Sequence, residues 1–226
     1  MEFLLDTINI KDITYFNERL PIAGVTSNPS IVKVNQVKNF YEHMNEIRQI
    51  IGPDKSLHVQ VVADTYDGMM KDAHSILEKI DSKVFIKVPT TIEGLKVIKA
   101  LKQEGVNITA TAVYTKMQAY LAMAAQADYI APYYNRMENL NIDPKEAILA
   151  MATEIDKNNY RSKILAASFK NVNQVNESIK QGAHAVTVSS DIFVQAFNMP
   201  SIDKATHDFK KDWESIYGEN INIHNL

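Results

Sequence analysis

The chain contains no cysteine, which excludes disulfides, thiolate metal centres and cysteine nucleophiles and is compatible with a reducing cytoplasm. It also lacks an excess of basic charge. Its 24 Lys and Arg residues stand against 27 Asp and Glu, giving a formal net charge of -3. No basic stripe is present, so nucleic acid and anionic membrane surfaces drop out as partners. No apolar run approaches the roughly 18 residues of a membrane-spanning helix. The first ten residues, MEFLLDTINI, have neither a basic start nor a small-residue cleavage site. We therefore expect no export, no membrane span and a cytoplasmic location. The seven glycines do not gather into a phosphate-binding turn after the first apolar run, and no Pro/Gly/Ser-rich linker divides the chain. One domain over residues 1–226 is the simpler organisation, and a 46% hydrophobic composition is ample for its core.

Short apolar runs alternate along this domain with longer amphipathic stretches. The runs at 3–6, 23–27, 57–63, 84–89, 108–114, 129–134, 163–168 and 185–190 read as eight strands. The stretches between them carry helix punctuation. Thr90 and Glu93 stand at capping-box spacing before a face made of Leu95, Ile98 and Leu101, and that pattern stops at Gly105. Asp143 precedes Pro144 as an N-cap precedes a first-turn proline, and another helix stops at Gly182. Strand, helix, strand in repetition requires right-handed parallel crossovers. Eight such units in 226 residues predict an α/β fold, a single (β/α)8 TIM barrel with an additional C-terminal helix at 203–218. The main competitor, an open doubly wound sheet, lacks its glycine-rich turn.

A barrel of this kind keeps its active site at the C-terminal ends of its strands. Polar residues recur there: Asp6, Thr26 and Asn28, Gln60, Lys87, Thr111, Tyr133 with Arg136, Ser168, and Ser190 with Asp191. Taken singly, most are ordinary caps or turn formers. Lys87 is different, because it stands in the apolar strand KVFIKVPTT (83–91). Strand parity puts Lys87 on one face with Phe85 and Pro89, while Val84, Ile86 and Val88 take the other. Desolvation disfavours the charged amine and supplies the neutral nucleophile that attacks a ketone to form a Schiff base. Such an iminium is itself an electron sink, so the chemistry needs no metal or cofactor. His43, His58, His74, His184, His207 and His224 show no convincing ligand spacing and read as surface or packed residues.

The segments AGVTSNPSI (23–31), VFIKVPTTIEGLKVIKAL (84–101), TAVYTKMQA (111–119), APYYNR (131–136) and LAASFK (165–170) resemble the small members of the transaldolase family, the fructose-6-phosphate aldolase group. The resemblance runs nearly end to end. It implies a class I (β/α)8 barrel acting on a small sugar phosphate. Lys87 then matches the Schiff-base lysine, and Asp6 the carboxylate that assists proton transfer. Gln60, Thr111 and Tyr133 match residues holding a catalytic water, with Tyr133 as the proton-transfer group. Thr26 and Asn28 line the ketose end, while Arg136, Ser168 and Lys170 fall at phosphate-binding positions.

The resemblance also points within the family. Gln60 and Tyr133, where transaldolases commonly have glutamate and phenylalanine, are of the aldolase type, and so is Ala131 where transaldolases often have serine. The implied activity is reversible cleavage of fructose 6-phosphate, with the alternative a transaldolase moving a dihydroxyacetone unit between sugar phosphates, as in the pentose phosphate pathway. Thr109, at a position expected to be apolar in the aldolases, and TVSSDIF (187–193) depart from the pattern. Phe209, Trp213, Ile216 and Tyr217 form one stripe on the last helix. It packs either on its own barrel or, as the family implies, on a neighbouring subunit of a homo-oligomer, a pentamer or decamer.

Overall fold

A computed structural model describes all residues, 1–226. Eight parallel strands close into a barrel in chain order: β1 (Glu2–Asp6), β2 (Ile22–Thr26), β3 (Ser56–Gln60), β4 (Phe85–Pro89), β5 (Ile108–Val113), β6 (Tyr129–Pro132), β7 (Lys163–Ala166) and β8 (Ala185–Val188). Around them run α1 (Ile10–Arg19), α2 (Pro29–Val34), α3 (Phe40–Ile51), α4 (Tyr66–Lys79), α5 (Ile92–Gln103) and α6 (Lys116–Ala124). The ring continues with α7 (Tyr134–Asn139), α8 (Pro144–Asn158), α9 (Val172–Lys180), α10 (Ser190–Phe197) and α11 (Pro200–Tyr217). The (β/α)8 architecture expected from the sequence is what the chain adopts. No helix is long and apolar enough to cross a membrane.

Strand alternation sorts the side chains into two cores. The outward set, including Val25, Val59, Ile86, Val88, Ile108 and Ile130, joins the helices in one layer of 46 buried residues. At about 1.5–3 kcal/mol for each large side chain fully removed from water, this layer supplies most of the stability. The inward set is small: Leu4, Tyr129, Leu165 and Ala185, packed against Ala23 and Phe85. Beneath it Glu2 closes the barrel floor by accepting from the Tyr129 hydroxyl at 2.6 Å and from Lys163 at 2.5 Å.

Most strands end before the apolar runs do. β3 stops at Gln60 rather than 63, β6 at Pro132 rather than 134, and β7 and β8 each two residues early. Beyond those points the backbone leaves the ladder to build the rim, and apolarity alone carries no mark of that departure. The cap of α5 also differs from the expectation. Thr91 caps it, accepting from the Gly94 N–H at 3.0 Å. Thr90 instead extends the β4–β5 pairing, its N–H and hydroxyl both donating to the Thr111 carbonyl at 2.9 Å. The expectations for Asp143, Pro144 and the glycines are met, with Asp143 accepting from the Lys145 and Glu146 N–H groups and Gly105 and Gly182 adopting φ of 77° and 96°.

Helix α11 buries none of its residues, and Phe209 and Ile216 are 70% and 75% exposed. Its apolar stripe therefore does not pack on the chain's own barrel. The Trp213 and Tyr217 rings lie 4.4 Å apart at a 37° tilt, and the Trp213 indole donates to the Ile221 carbonyl.

Helix α5 lies so close to the strand bearing Lys87 that a Cβ on Gly94 would come within 1.9 Å of the Pro89 carbonyl oxygen. Backbone, unlike the end of a flexible side chain, cannot swing away. We expect Gly94→Ala to lower unfolding stability by about 2 kcal/mol, the usual order for overpacking, despite alanine's better helix propensity. A urea midpoint equal to or above that of the parent would contradict this packing.

Candidate active site

Lys87 projects into the barrel lumen from β4 and is only 4% exposed. Its amine donates to the Ser27 carbonyl at 2.7 Å, a bond that fixes the Nζ position. Burial pulls its pKa below the ordinary 10.5, against the opposing pull of the Asp6 carboxylate. Asp6, at the end of β1, shows the converse. Burial raises its pKa above 3.8, partly offset by Lys87 and by the Thr26 hydroxyl, which donates to it at 2.7 Å. Thr26 commits its proton to Asp6, so Thr187 on β8 donates to the Thr26 oxygen at 2.6 Å. Three strands thus hold one carboxylate.

Across the lumen the Tyr133 phenol pairs with the Thr111 hydroxyl at 2.9 Å, and its pKa is raised chiefly by burial. Thr111 precedes Ala112, whose φ of 54° lies within the register shift between Ala110 and Val113. This irregularity sits at the rim, where bulges re-aim side chains. Gln60, register neighbour of Lys87, buries its Oε1 with no protein donor in reach. Such an acceptor in a polar cavity is a seat for a solvent or substrate hydroxyl.

A cavity of about 260 Å³ gathers Asp6, Asn28, Lys87, Tyr133, Arg136 and Ser168, with Lys170 at its edge. An adjoining space of about 530 Å³ towards the mouth takes in Gln60 beside Asp6, Tyr133 and Arg136. The ten residues given roles by the resemblance therefore converge, though not all as expected, while Ser190 and Asp191 open α10 and line neither space. Thr26 and Thr111 do not line the main cavity; they hold Asp6 and Tyr133 from behind. Asn28 lines it but uses its Oδ1 to cap α2, accepting from the Ile31 N–H at 3.1 Å, while its amide N–H groups have no protein partner.

A family model described as transaldolase/fructose-6-phosphate aldolase matches residues 3–226. The chain belongs to the transaldolase/fructose-6-phosphate aldolase family. A relative from Streptococcus pneumoniae (strain ATCC 700669 / Spain 23F-1), named probable fructose-6-phosphate aldolase, is 55% identical over 213 residues, covering 94% of this chain and 96% of the relative. The chain is thus an enzyme of the aldolase/transaldolase kind.

In this member of the transaldolase/fructose-6-phosphate aldolase family, several supporting groups escaped the sequence reading. Gln174 on α9 donates to Glu138 at 2.6 Å and to Asn135 at 3.3 Å, and accepts from the Lys170 N–H at 2.7 Å. It ties the Ser168–Lys170 loop to α7, which carries Arg136. Ser168 itself has φ 64°, a left-handed conformation held by the Asn135 N–H on its carbonyl. Ser27 contributes a carbonyl, which no side-chain pattern could reveal. Thr187 had a signal in principle, a polar residue of inward parity in the buried run AVTV. No group of three or more His, Asp or Glu side chains is arranged to hold a metal ion.

The coupling of Lys87 to Asp6 has a measurable sign. Modification of Lys87 by an amine-selective reagent, followed by peptide mass spectrometry across pH, should rise with a midpoint below 10.5. Asp6→Asn removes the anion that favours the ammonium form, so the midpoint should fall further. A midpoint at the free-lysine value, or an upward shift in the variant, would contradict the burial argument.

Proposed function

We propose that the chain is a class I aldolase that reversibly cleaves fructose 6-phosphate into dihydroxyacetone and glyceraldehyde 3-phosphate. The observation that carries this reading is the buried Lys87 amine, pinned by the Ser27 carbonyl in the cavity that Asp6 also lines. The name of the Streptococcus pneumoniae relative supports it at the level of reaction.

In this mechanism the neutral Lys87 amine attacks the C2 carbonyl of the open-chain ketose, and loss of water from the carbinolamine gives an iminium. The iminium accepts the electron pair as the C3–C4 bond breaks. Asp6, whose raised pKa suits a carboxylate that must take up a proton, receives the C4 hydroxyl proton as glyceraldehyde 3-phosphate leaves. Tyr133, held by Thr111, and a water held by Gln60 return a proton to C3 of the enamine. Hydrolysis of the resulting iminium consumes the water lost earlier and releases dihydroxyacetone and the free amine. Arg136, Ser168 and Lys170 hold the phosphate through charge-assisted hydrogen bonds. The Asn28 amide and Thr26, acting through Asp6, serve the ketose end. The enzyme works without metal or cofactor in the cytoplasm as a homo-oligomer, and the uncovered stripe on α11 supports that assembly.

Fructose 6-phosphate supplied alone should yield dihydroxyacetone steadily, whereas a stoichiometric burst that continues only on addition of erythrose 4-phosphate would identify a transferase instead. Borohydride should trap a three-carbon adduct on Lys87, and Lys87→Ala should lose roughly 10⁴-fold or more in kcat/KM. Tyr133→Phe removes the phenol that pairs with Thr111 and should slow dihydroxyacetone release by about 100-fold while sparing transfer to erythrose 4-phosphate. An unchanged ratio of release to transfer would refute the proton-transfer role given to Tyr133.

A further inference from the structure

A histidine lies inside the barrel immediately below this site. His58 is fully buried on β3, one inward position beneath Gln60, and stacks on Phe85 at 4.7 Å. Its Nδ1 meets the Thr109 hydroxyl at 2.8 Å and its Nε2 the Ser56 hydroxyl at 2.9 Å. Burial, with Lys87 and Arg48 nearby, pushes its pKa well below 6.5, so the ring is neutral, with one N–H donor and one acceptor. Ser56 Oγ lies 3.4 Å from the Ala23 carbonyl, which can only accept, so we assign its proton there; its oxygen is then the acceptor for Nε2–H and Nδ1 is left bare. Thr109 must then donate to Nδ1. Its proton is committed to the ring, and its oxygen has no second protein partner, which leaves acceptor capacity on a fully buried residue in the cavity lining.

Thr109 is the register partner of Lys87 on the neighbouring strand, and both line the same cavity. On that wall its neighbours are Ala131 and Leu165, which offer no polar side-chain atom. The Thr187 hydroxyl, on β8, is tied into the Thr26–Asp6 chain, and that of Ser189 donates to Asp191. A ketone joined to Lys87 has two arms. One faces the mouth, where the aldehyde departs, and the other lies against the inner wall.

We propose that Thr109, oriented by His58, is a specificity-determining residue that accepts a hydrogen bond from the hydroxyl on the inward arm of the donor. The site thereby favours ketones hydroxylated on both carbons flanking the carbonyl over methyl ketones. This rests on the Schiff-base reading above and adds to it the selection of the donor. His58 is a positioning residue that touches no substrate. A polar wall built to pair with a hydroxyl leaves its own oxygen unsatisfied when a methyl group arrives, and that mismatch is what discriminates.

The test compares dihydroxyacetone with hydroxyacetone as donors to glyceraldehyde 3-phosphate, alongside borohydride trapping on Lys87 with each donor. Thr109→Val, which preserves shape and removes the hydroxyl, should shift the ratio of kcat/KM values about tenfold or more towards hydroxyacetone, with trapping retained. His58→Phe, which keeps an aromatic ring on Phe85, should move the ratio in the same direction. His58→Asn, with a hydrogen-bonding atom near the Nδ1 position, should restore it towards the parent value. Circular dichroism on each variant separates these effects from misfolding, which would depress both donors together. An unchanged donor ratio in Thr109→Val with trapping intact overturns this inference alone. Absence of any trapped imine in the parent protein overturns the Schiff-base reading with it.

Discussion

The site depends on one amine held out of water. Lys87 is buried in the barrel wall, and three influences set its state: desolvation, which disfavours the ammonium; the Asp6 carboxylate, which favours it; and the Ser27 carbonyl, which fixes its position. Neither ionisable group is indifferent to the other. Burial shifts the pKa of Lys87 down and that of Asp6 up, while each opposes the shift of the other. Opposed shifts of this kind in two neighbouring groups of one cavity are what marks it as a candidate site.

The fold can carry this polar interior because stability is generated elsewhere. The 46-residue layer between sheet and helices is apolar, whereas the lumen holds only a small apolar cluster. Around that cluster the polar groups are satisfied in short chains: Glu2 with Tyr129 and Lys163 at the floor, Ser56 with His58 and Thr109 in the middle, and Thr187 with Thr26 and Asp6 above. Gln60 Oε1 stands out against this background as a buried acceptor without a donor, and it lies beside Lys87 rather than at some random depth. Strained backbone follows the same distribution in part. Of the seven non-glycine residues with positive φ, Ala112 and Ser168 sit at the rim, where side chains are turned from the ladder into the cavity, while the other five end helices or make turns.

Much of this was legible in the residues. The period-two alternation of Val84, Ile86 and Val88 against Phe85 and Lys87 survives intact in the structure, because a closed sheet under helices buries both faces and leaves parity as the only distinction. Strand ends were read too long wherever the rim begins, since Val61, Tyr133 and Ala167 stay apolar or aromatic after leaving the regular ladder. Thr90 was mistaken for the cap of α5 because capping depends on which of two adjacent threonines the chain turns towards solvent, and that is decided by the backbone pairing of Thr90 with Thr111. His58 read only as a packed residue, since nothing in its own strand marks the threonine it would meet on β5.

The sequence by itself determined the repeating unit, the family and the division of the lysine strand into two faces, because each is a matter of local periodicity or of motifs contiguous along the chain. Tertiary closure decided the rest. It brought Ser27 under the amine, set Thr187 behind Thr26 and placed His58 against Thr109, contacts spanning 60, 161 and 51 residues. Closure also left α11 off the barrel. Contacts of that reach depend on strand register and barrel closure, and a hydrogen bond across the lumen leaves no period in the sequence of either partner.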